Sequence, residues 1–81
     1  MIVFPHMLIP AAQEANMKVP PDADNFNAEE FPHFRVFCNI QLSRPATPTE
    51  HWENAIKIAA IPEDKIRIMT VPEFREIGVT F

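Results

Sequence analysis

The residues best suited to chemistry lie within the stretch TPTEHWENAIKIAA, in which a histidine and a tryptophan stand between two glutamates. An imidazole beside a carboxylate is a pair that enzymes use for general acid and base catalysis. His51 with Glu50 or Glu53 is therefore the candidate catalytic pair. The same residues also suit the start of a helix. We prefer that interpretation, so catalysis by His51 and Glu53 stays the alternative.

Cys38, the only cysteine, is a second possible reaction centre, as a nucleophile paired with His6, His33 or His51. Its neighbours alternate in polarity so that Cys38 faces a predicted core, where a thiol is a small buried hydrophobe. The three histidines and the cysteine match no short metal-ligand spacing, and one cysteine forms no intrachain disulfide or zinc module. We expect no metal and no cofactor.

The acidic loop DADNFNAEE offers carboxylates of a different kind. Asp22, Asp24 and Asn25 carry the hard oxygens that calcium prefers, but the segment lacks the glycine and the final glutamate of a calcium-binding loop. We interpret it as a solvated loop. If it contacts a partner, the residues concerned are Asp22, Asp24, Glu29 and Glu30.

The composition excludes several classes of site. The chain has nine prolines and one glycine, Gly78. Phosphate-binding loops, dinucleotide-binding turns and nucleophile elbows all need glycines, so none of them fits. The net charge is -4, with five acids and one base in residues 1–34 and six of each in residues 35–81. A nucleic-acid-binding protein would show a basic excess, so we expect no nucleic-acid partner.

The N-terminal segment MIVFPHMLIP is apolar, but no basic region precedes it and no small-residue cleavage site follows it. It is also far too short to cross a bilayer. From these observations we expect a soluble, cytoplasmic protein without a membrane partner.

Two segments alternate in polarity as half-buried strands do. In residues 34–42, FRVFCNIQL, every second residue is apolar, and in residues 65–71, KIRIMTV, isoleucines alternate with basic residues. Each segment is predicted to form one strand. The apolar arm at residues 2–9 is predicted to lie at a sheet edge, because Pro5 removes a backbone donor.

The main helix is predicted at about residues 48–60. Thr47 is its cap, Pro48 suits the first position, and Glu50 completes a capping box. Five apolar residues then recur at helical spacing and form one stripe, predicted to face the sheet: Trp52, Ala55, Ile56, Ala59 and Ala60.

These elements predict a small α+β or α/β fold, a single two-layer domain in which the main helix packs on a short mixed sheet. Residues 1–33 would supply the arm, a short helix from Pro10 and the acidic, proline-rich loop. Residues 34–81 would form a strand-helix-strand-helix core whose last helix starts at Pro72. The predicted core residues are Val36, Ile40, Trp52, Ile56, Ile66 and Ile68, although Trp52, as a large ring at a helix start, would also suit an interface.

The apolar side chains outside these elements exceed what so small a domain buries. We expect six of them at an interface: Phe4, Met7, Phe26, Phe31, Phe37 and Phe81. The sequence thus predicts a non-enzymatic interaction subunit that binds itself or another protein in a larger assembly, for example a viral assembly component. The alternatives are an acidic inhibitor that covers a host protein's nucleic-acid site, and a small enzyme or accessory enzyme subunit that uses His51 with a carboxylate.

Overall fold

The computed structural model describes residues 5–81, in which a short 3-10 helix and five α-helices are joined by loops. The helices are the 3-10 helix Pro5–Leu8, α1 (Ile9–Glu14), α2 (Pro32–Leu42), α3 (Pro48–Ala59), α4 (Glu63–Ile66) and α5 (Val71–Glu76). No strand occurs in residues 5–81, so the predicted α+β domain with its mixed sheet is wrong. The helices form a compact globule with a Cα radius of gyration of 11.3 Å.

Helix α3 begins at Pro48 with the Thr47 cap that the sequence predicts, but Glu50 does not complete the predicted capping box, because its carboxylate pairs with Arg44. The Thr47 hydroxyl oxygen accepts a hydrogen bond from the Glu50 backbone N–H at 3.2 Å, and Pro48 occupies the first turn. The Glu50 carboxylate turns toward the preceding loop and accepts a hydrogen bond from Arg44 Nη2 at 2.8 Å. The cap and this ion pair together tie the start of α3 to the loop after α2.

Helix α2 occupies the segment that was predicted to be the first strand. Pro32 lies in its first turn, and Phe34, Phe37, Cys38 and Gln41 are buried at the i, i+3, i+4 and i+7 spacing of a helix face. The residues of this segment also alternate in polarity, so the two-residue period of a strand and the 3.6-residue period of a helix are both present. Phe37 decides between them, because a strand would turn this large ring away from the core and a helix buries it.

The second predicted strand, residues 65–71, is also wrong. Helix α4 ends at Ile66, a turn follows, and α5 begins at Val71. Ile66 is buried whereas Ile68 is 78% exposed, so the two isoleucines do not share a face. The acidic start and basic end of α4 suit the dipole of a helix.

The N-terminal segment is helical where it is described. The predicted edge strand at residues 2–9 is replaced from Pro5 onward by the 3-10 helix and α1, and residues 1–4 lie outside the described range. The short helices predicted from Pro10 and Pro72 are confirmed as α1 and α5. Gly78 follows α5 with a φ of 95°, a conformation that favours glycine.

The core draws on every helix, with its largest side chains on α2. Of the predicted core residues, Val36, Ile40 and Ile66 are buried as expected, whereas Trp52, Ile56 and Ile68 are exposed. The buried hydrophobic residues are Leu8, Ala12, Met17, Ala23, Phe34, Val36, Phe37, Cys38, Ile40, Ala55, Ile58, Ile61, Ile66, Phe74 and Val79.

Helix α3 turns a different face inward from the one predicted. Its buried residues are Asn54, Ala55 and Ile58, and His51 is half-buried on the same side. These four residues follow the i, i+3, i+4, i+7 spacing, so they form one face of the helix. Trp52 lies at the edge of this face, and 42% of its surface is exposed.

The C-terminal residues are held on α3 by side chains of that helix. Asn54 Nδ2 donates to the Thr80 carbonyl oxygen at 2.9 Å, and Asn54 Oδ1 accepts from the Thr80 backbone N–H at 2.9 Å. One turn further along α3, Lys57 Nζ donates to the Gly78 carbonyl oxygen at 2.6 Å. This clamp explains how a buried asparagine is tolerated, since its amide is paired on both sides.

The helix packing places the start of α3 at the surface. Helix α1 packs against α3, and α2 packs against both α3 and α4. Residues of the 3-10 helix and α1 line one groove together with the first turns of α3. Across residues 5–81, every helix is too short or too polar to cross a lipid bilayer.

Candidate functional site

A groove lies where the 3-10 helix and α1 approach the start of α3. Its volume is about 420 Å³, and its lining is mostly apolar. The lining residues are Met7, Pro10, Ala11, Glu14, Ala46, Pro48, His51 and Trp52. Two prolines, Pro10 and Pro48, and the capped start of α3 fix the backbone around it, so the groove is formed before any ligand arrives.

Large apolar side chains stand open to solvent in and beside this groove. Met7 is 53% exposed and Trp52 is 42% exposed, and both line it. Ile56 follows Trp52 by one helical turn and is also exposed, so it extends the apolar surface along α3. Tryptophan and methionine are enriched at protein interfaces, where the large ring supplies contact area and the flexible thioether adapts to its neighbour.

His51 forms the polar part of the groove wall. Its Nδ1 is hydrogen-bonded to Oε1 of Gln41, which is 1% exposed. Burial lowers the pKa of His51, against the opposing effect of the Glu50 charge, so the imidazole is neutral near pH 7. With Nδ1–H donating to Gln41, the other ring nitrogen, Nε2, is a hydrogen-bond acceptor. Within residues 5–81, Gln41 Nε2 is a buried donor without a partner.

Glu14 is the only acidic or basic residue in the lining besides His51. Among the described residues, no ion pair or hydrogen bond engages its exposed carboxylate. The groove therefore presents two acceptors, the Glu14 carboxylate and His51 Nε2, beside an aromatic ring. Such a surface attracts a donor-only cation, as lysine and arginine are.

For the alternative of catalysis by His51, the described residues place no carboxylate in contact with the imidazole. Glu50 is paired with Arg44, and Glu53 is exposed on α3 with no contact to His51 among the described residues. The other histidines lie elsewhere: His6 Nδ1 is 3.6 Å from Asp24 Oδ1, and His33 Nε2 is 2.5 Å from the Ile61 carbonyl oxygen.

Cys38 is not placed as a nucleophile. The side chain is buried among core residues, and this burial raises the pKa of its thiol to about 12. Residues 5–81 contain no group of three or more histidine, cysteine, aspartate or glutamate side chains that could hold a metal ion.

The predicted interface residues are divided between surface and core. Met7 is exposed in the groove, while Phe37 lies wholly in the core, because its segment is a helix rather than a strand with an outward face. Phe26 and Phe31 are half-buried, and their rings meet edge to face, with centroids 6.1 Å apart. Phe81 is half-buried against Phe74, and Phe4 lies outside the described residues.

The four predicted partner-binding acids are exposed in the loop between α1 and α2. This loop is ordered by its own side chains, since Asp22 Oδ1 accepts from the Asp24 backbone N–H at 3.1 Å and Asn27 Oδ1 accepts from the Glu29 backbone N–H at 3.0 Å. Arg67 also donates to the Glu29 carbonyl oxygen at 2.6 Å. The structure does not bring these acids into the groove.

Sequence reasoning missed most of the groove. It assigned Trp52 to the core and gave no role to Glu14. The sequence did contain a signal for this arrangement. His51 and Asn54 stand at helical spacing with Ala55 and Ile58, so these four residues define a second possible inward face of α3 besides the apolar stripe through Trp52.

Comparison with family models, with curated proteins and with solved structures finds no match to this chain. The function is therefore argued from the groove itself.

Proposed function

We propose that this chain is a non-enzymatic protein-interaction subunit, and that the groove between α1 and α3 receives an apolar segment of a partner protein. The observation that carries the proposal is the exposure of Met7 and Trp52 on the two sides of one preformed apolar groove. Exposed apolar surface of this kind, with a polar edge, is typical of docking sites.

Three features support protein rather than a small substrate as the ligand. Beyond the groove, exposed apolar surface continues along α3 from Trp52 to Ile56, as a surface that meets a chain segment would. The Glu14 carboxylate and His51 Nε2 are acceptors at its edge that can orient a ligand. Within the described residues no nucleophile stands beside His51, so the groove lacks the pair that a hydrolytic or transfer reaction needs.

The test compares photocrosslinking from inside and outside the groove, in cells that normally make the protein. A photoreactive phenylalanine analogue replaces Met7 in one variant and Ile77 in the other. Ile77 is a matched control, because it is a 42% exposed hydrophobic residue outside the groove lining. We expect discrete protein adducts from position 7 that disappear when Trp52→Ala is added.

The adducts are identified by mass spectrometry, and the folded state of each variant is checked by circular dichroism. Equal adducts from positions 7 and 77, or adducts from position 7 that survive Trp52→Ala in a folded protein, would contradict a docking role for the groove.

A further inference from the structure

The groove demands a particular chemistry from whatever occupies it. An apolar side chain is needed to cover Trp52 and Met7, and a cation beside it is needed to pair with the Glu14 carboxylate. The Trp52 ring adds a face on which an ammonium or guanidinium group can also rest. A segment that combines a projecting aliphatic residue with a nearby lysine or arginine meets all of these demands.

The chain carries such a segment on its own surface, at the turn after α4. Ile68, at 78% exposure, is the most exposed large hydrophobic residue that the structure describes. Its backbone N–H is hydrogen-bonded to the Lys65 carbonyl oxygen at 3.2 Å, so Lys65 and Ile68 belong to one turn. Among residues 5–81, no ion pair engages the exposed Lys65 ammonium.

We propose that the groove is occupied by a second copy of this chain, with Ile68 seated against Trp52 and Lys65 paired with Glu14. This inference rests on the proposed docking function and names its partner. The two surfaces are complementary, since the unpaired carboxylate lies in the groove and the unpaired Lys65 ammonium belongs to the same turn as the projecting isoleucine. Arg67 is already paired with Glu63 at 3.0 Å, which leaves Lys65 as the cation for this contact.

The contact joins two different surfaces, the groove of one copy and the turn of the next. A dimer held by one such contact has one free groove and one free turn, so association continues head to tail unless the second groove and turn also pair across a two-fold axis or the chains close a ring. The contact is small, so each step is weak and reversible. Solution mass should accordingly rise with concentration.

The test uses two variants that each lose one surface. Trp52→Ala removes the groove surface and keeps the turn, while Ile68→Asp removes the turn and keeps the groove. Light scattering is measured up to about 1 mM, because small interfaces bind weakly. We expect association of the unaltered protein, monomers of either variant alone, and a heterodimer that stops at two chains when the variants are mixed.

A charge exchange tests the polar contact separately. Glu14→Lys and Lys65→Glu should each raise the dissociation constant by about tenfold or more, and the double variant should recover association because the pair is restored with its signs reversed. Asp64→Asn is the matched control, since it removes a charge from the same helix and leaves the proposed pair intact. Ile77→Asp should leave the solution mass unchanged.

A monomeric unaltered protein across the concentration range, or mixed variants that stay monomeric although each is folded by circular dichroism, would overturn the second copy as occupant. The docking function would survive that result if the position 7 adduct contained a different protein. Adducts that join position 7 to the peptide carrying Lys65 and Ile68 of another copy would support both proposals.

Discussion

Replacing Asn54 with alanine should destabilise the protein by about 2 kcal/mol. The Asn54 amide makes two hydrogen bonds to the Thr80 backbone, both 2.9 Å long, and its side chain is almost completely buried. A hydrogen bond of this type contributes about 1 kcal/mol net, so the loss of both gives the stated figure. For a domain of this size, this corresponds to a fall in melting temperature of roughly 8 to 16 °C.

Asn39→Ala is the matched control for this experiment. Asn39 is also an asparagine within a helix, but it is exposed on α2, so the gain in helix propensity is shared and the difference between the variants isolates the clamp. Urea denaturation followed by circular dichroism gives the two free energies of unfolding, and hydrogen exchange should show lost protection of the Thr80 amide. A difference below about 0.5 kcal/mol between the variants would refute the argument that Asn54 holds the C-terminal segment.

Two further predictions concern titrating groups. The Cys38 thiol, buried and with its pKa raised to about 12, should react with a soluble thiol reagent only after denaturant is added, and rapid labelling of the native protein would contradict the structure. Burial lowers the folded-state pKa of His51 below 6.5, so its protonation favours the unfolded state. Stability should therefore be complete above about pH 6.5 and decline as the pH falls toward the folded-state pKa. His51→Gln should reduce this decline in urea midpoints between about pH 7.5 and pH 5.5, and an equal decline in both proteins would show that His51 does not contribute.

Local signals predicted the helix boundaries well where a cap or a proline was present. Thr47, Pro48 and Gly78 each act within a few residues of their own position, so their effect does not depend on the rest of the fold. The location of α3 and the end of α5 follow from them. The predicted sheet had no comparable support, because it rested on alternation of polarity alone.

The segment of α2 shows why alternation was not sufficient. Phe34 and Cys38 would share one face of a strand, and together with Phe37 and Gln41 they share one face of a helix. The two structures differ in whether Phe37 is buried. Whether a large ring at the fourth position is buried depends on what packs against it, which is tertiary information. With no strand partner in the described chain, the helix satisfies its own backbone groups and buries Phe37 as well.

The groove could not be predicted for a related reason, which also supports its role. Burying a large apolar side chain contributes roughly 1.5 to 3 kcal/mol, so stability alone favours turning Trp52 inward. Helix α3 instead turns His51 and Asn54 toward the interior, and leaves Trp52 beside Met7 and Glu14 at the surface. The inward polar residues are paired, His51 with Gln41 and Asn54 with the Thr80 backbone. Places where a sequence gives up apolar burial are expected at functional sites, where a surface is kept for a ligand. The partial exposure of Trp52 thus supports the proposed docking role of the groove.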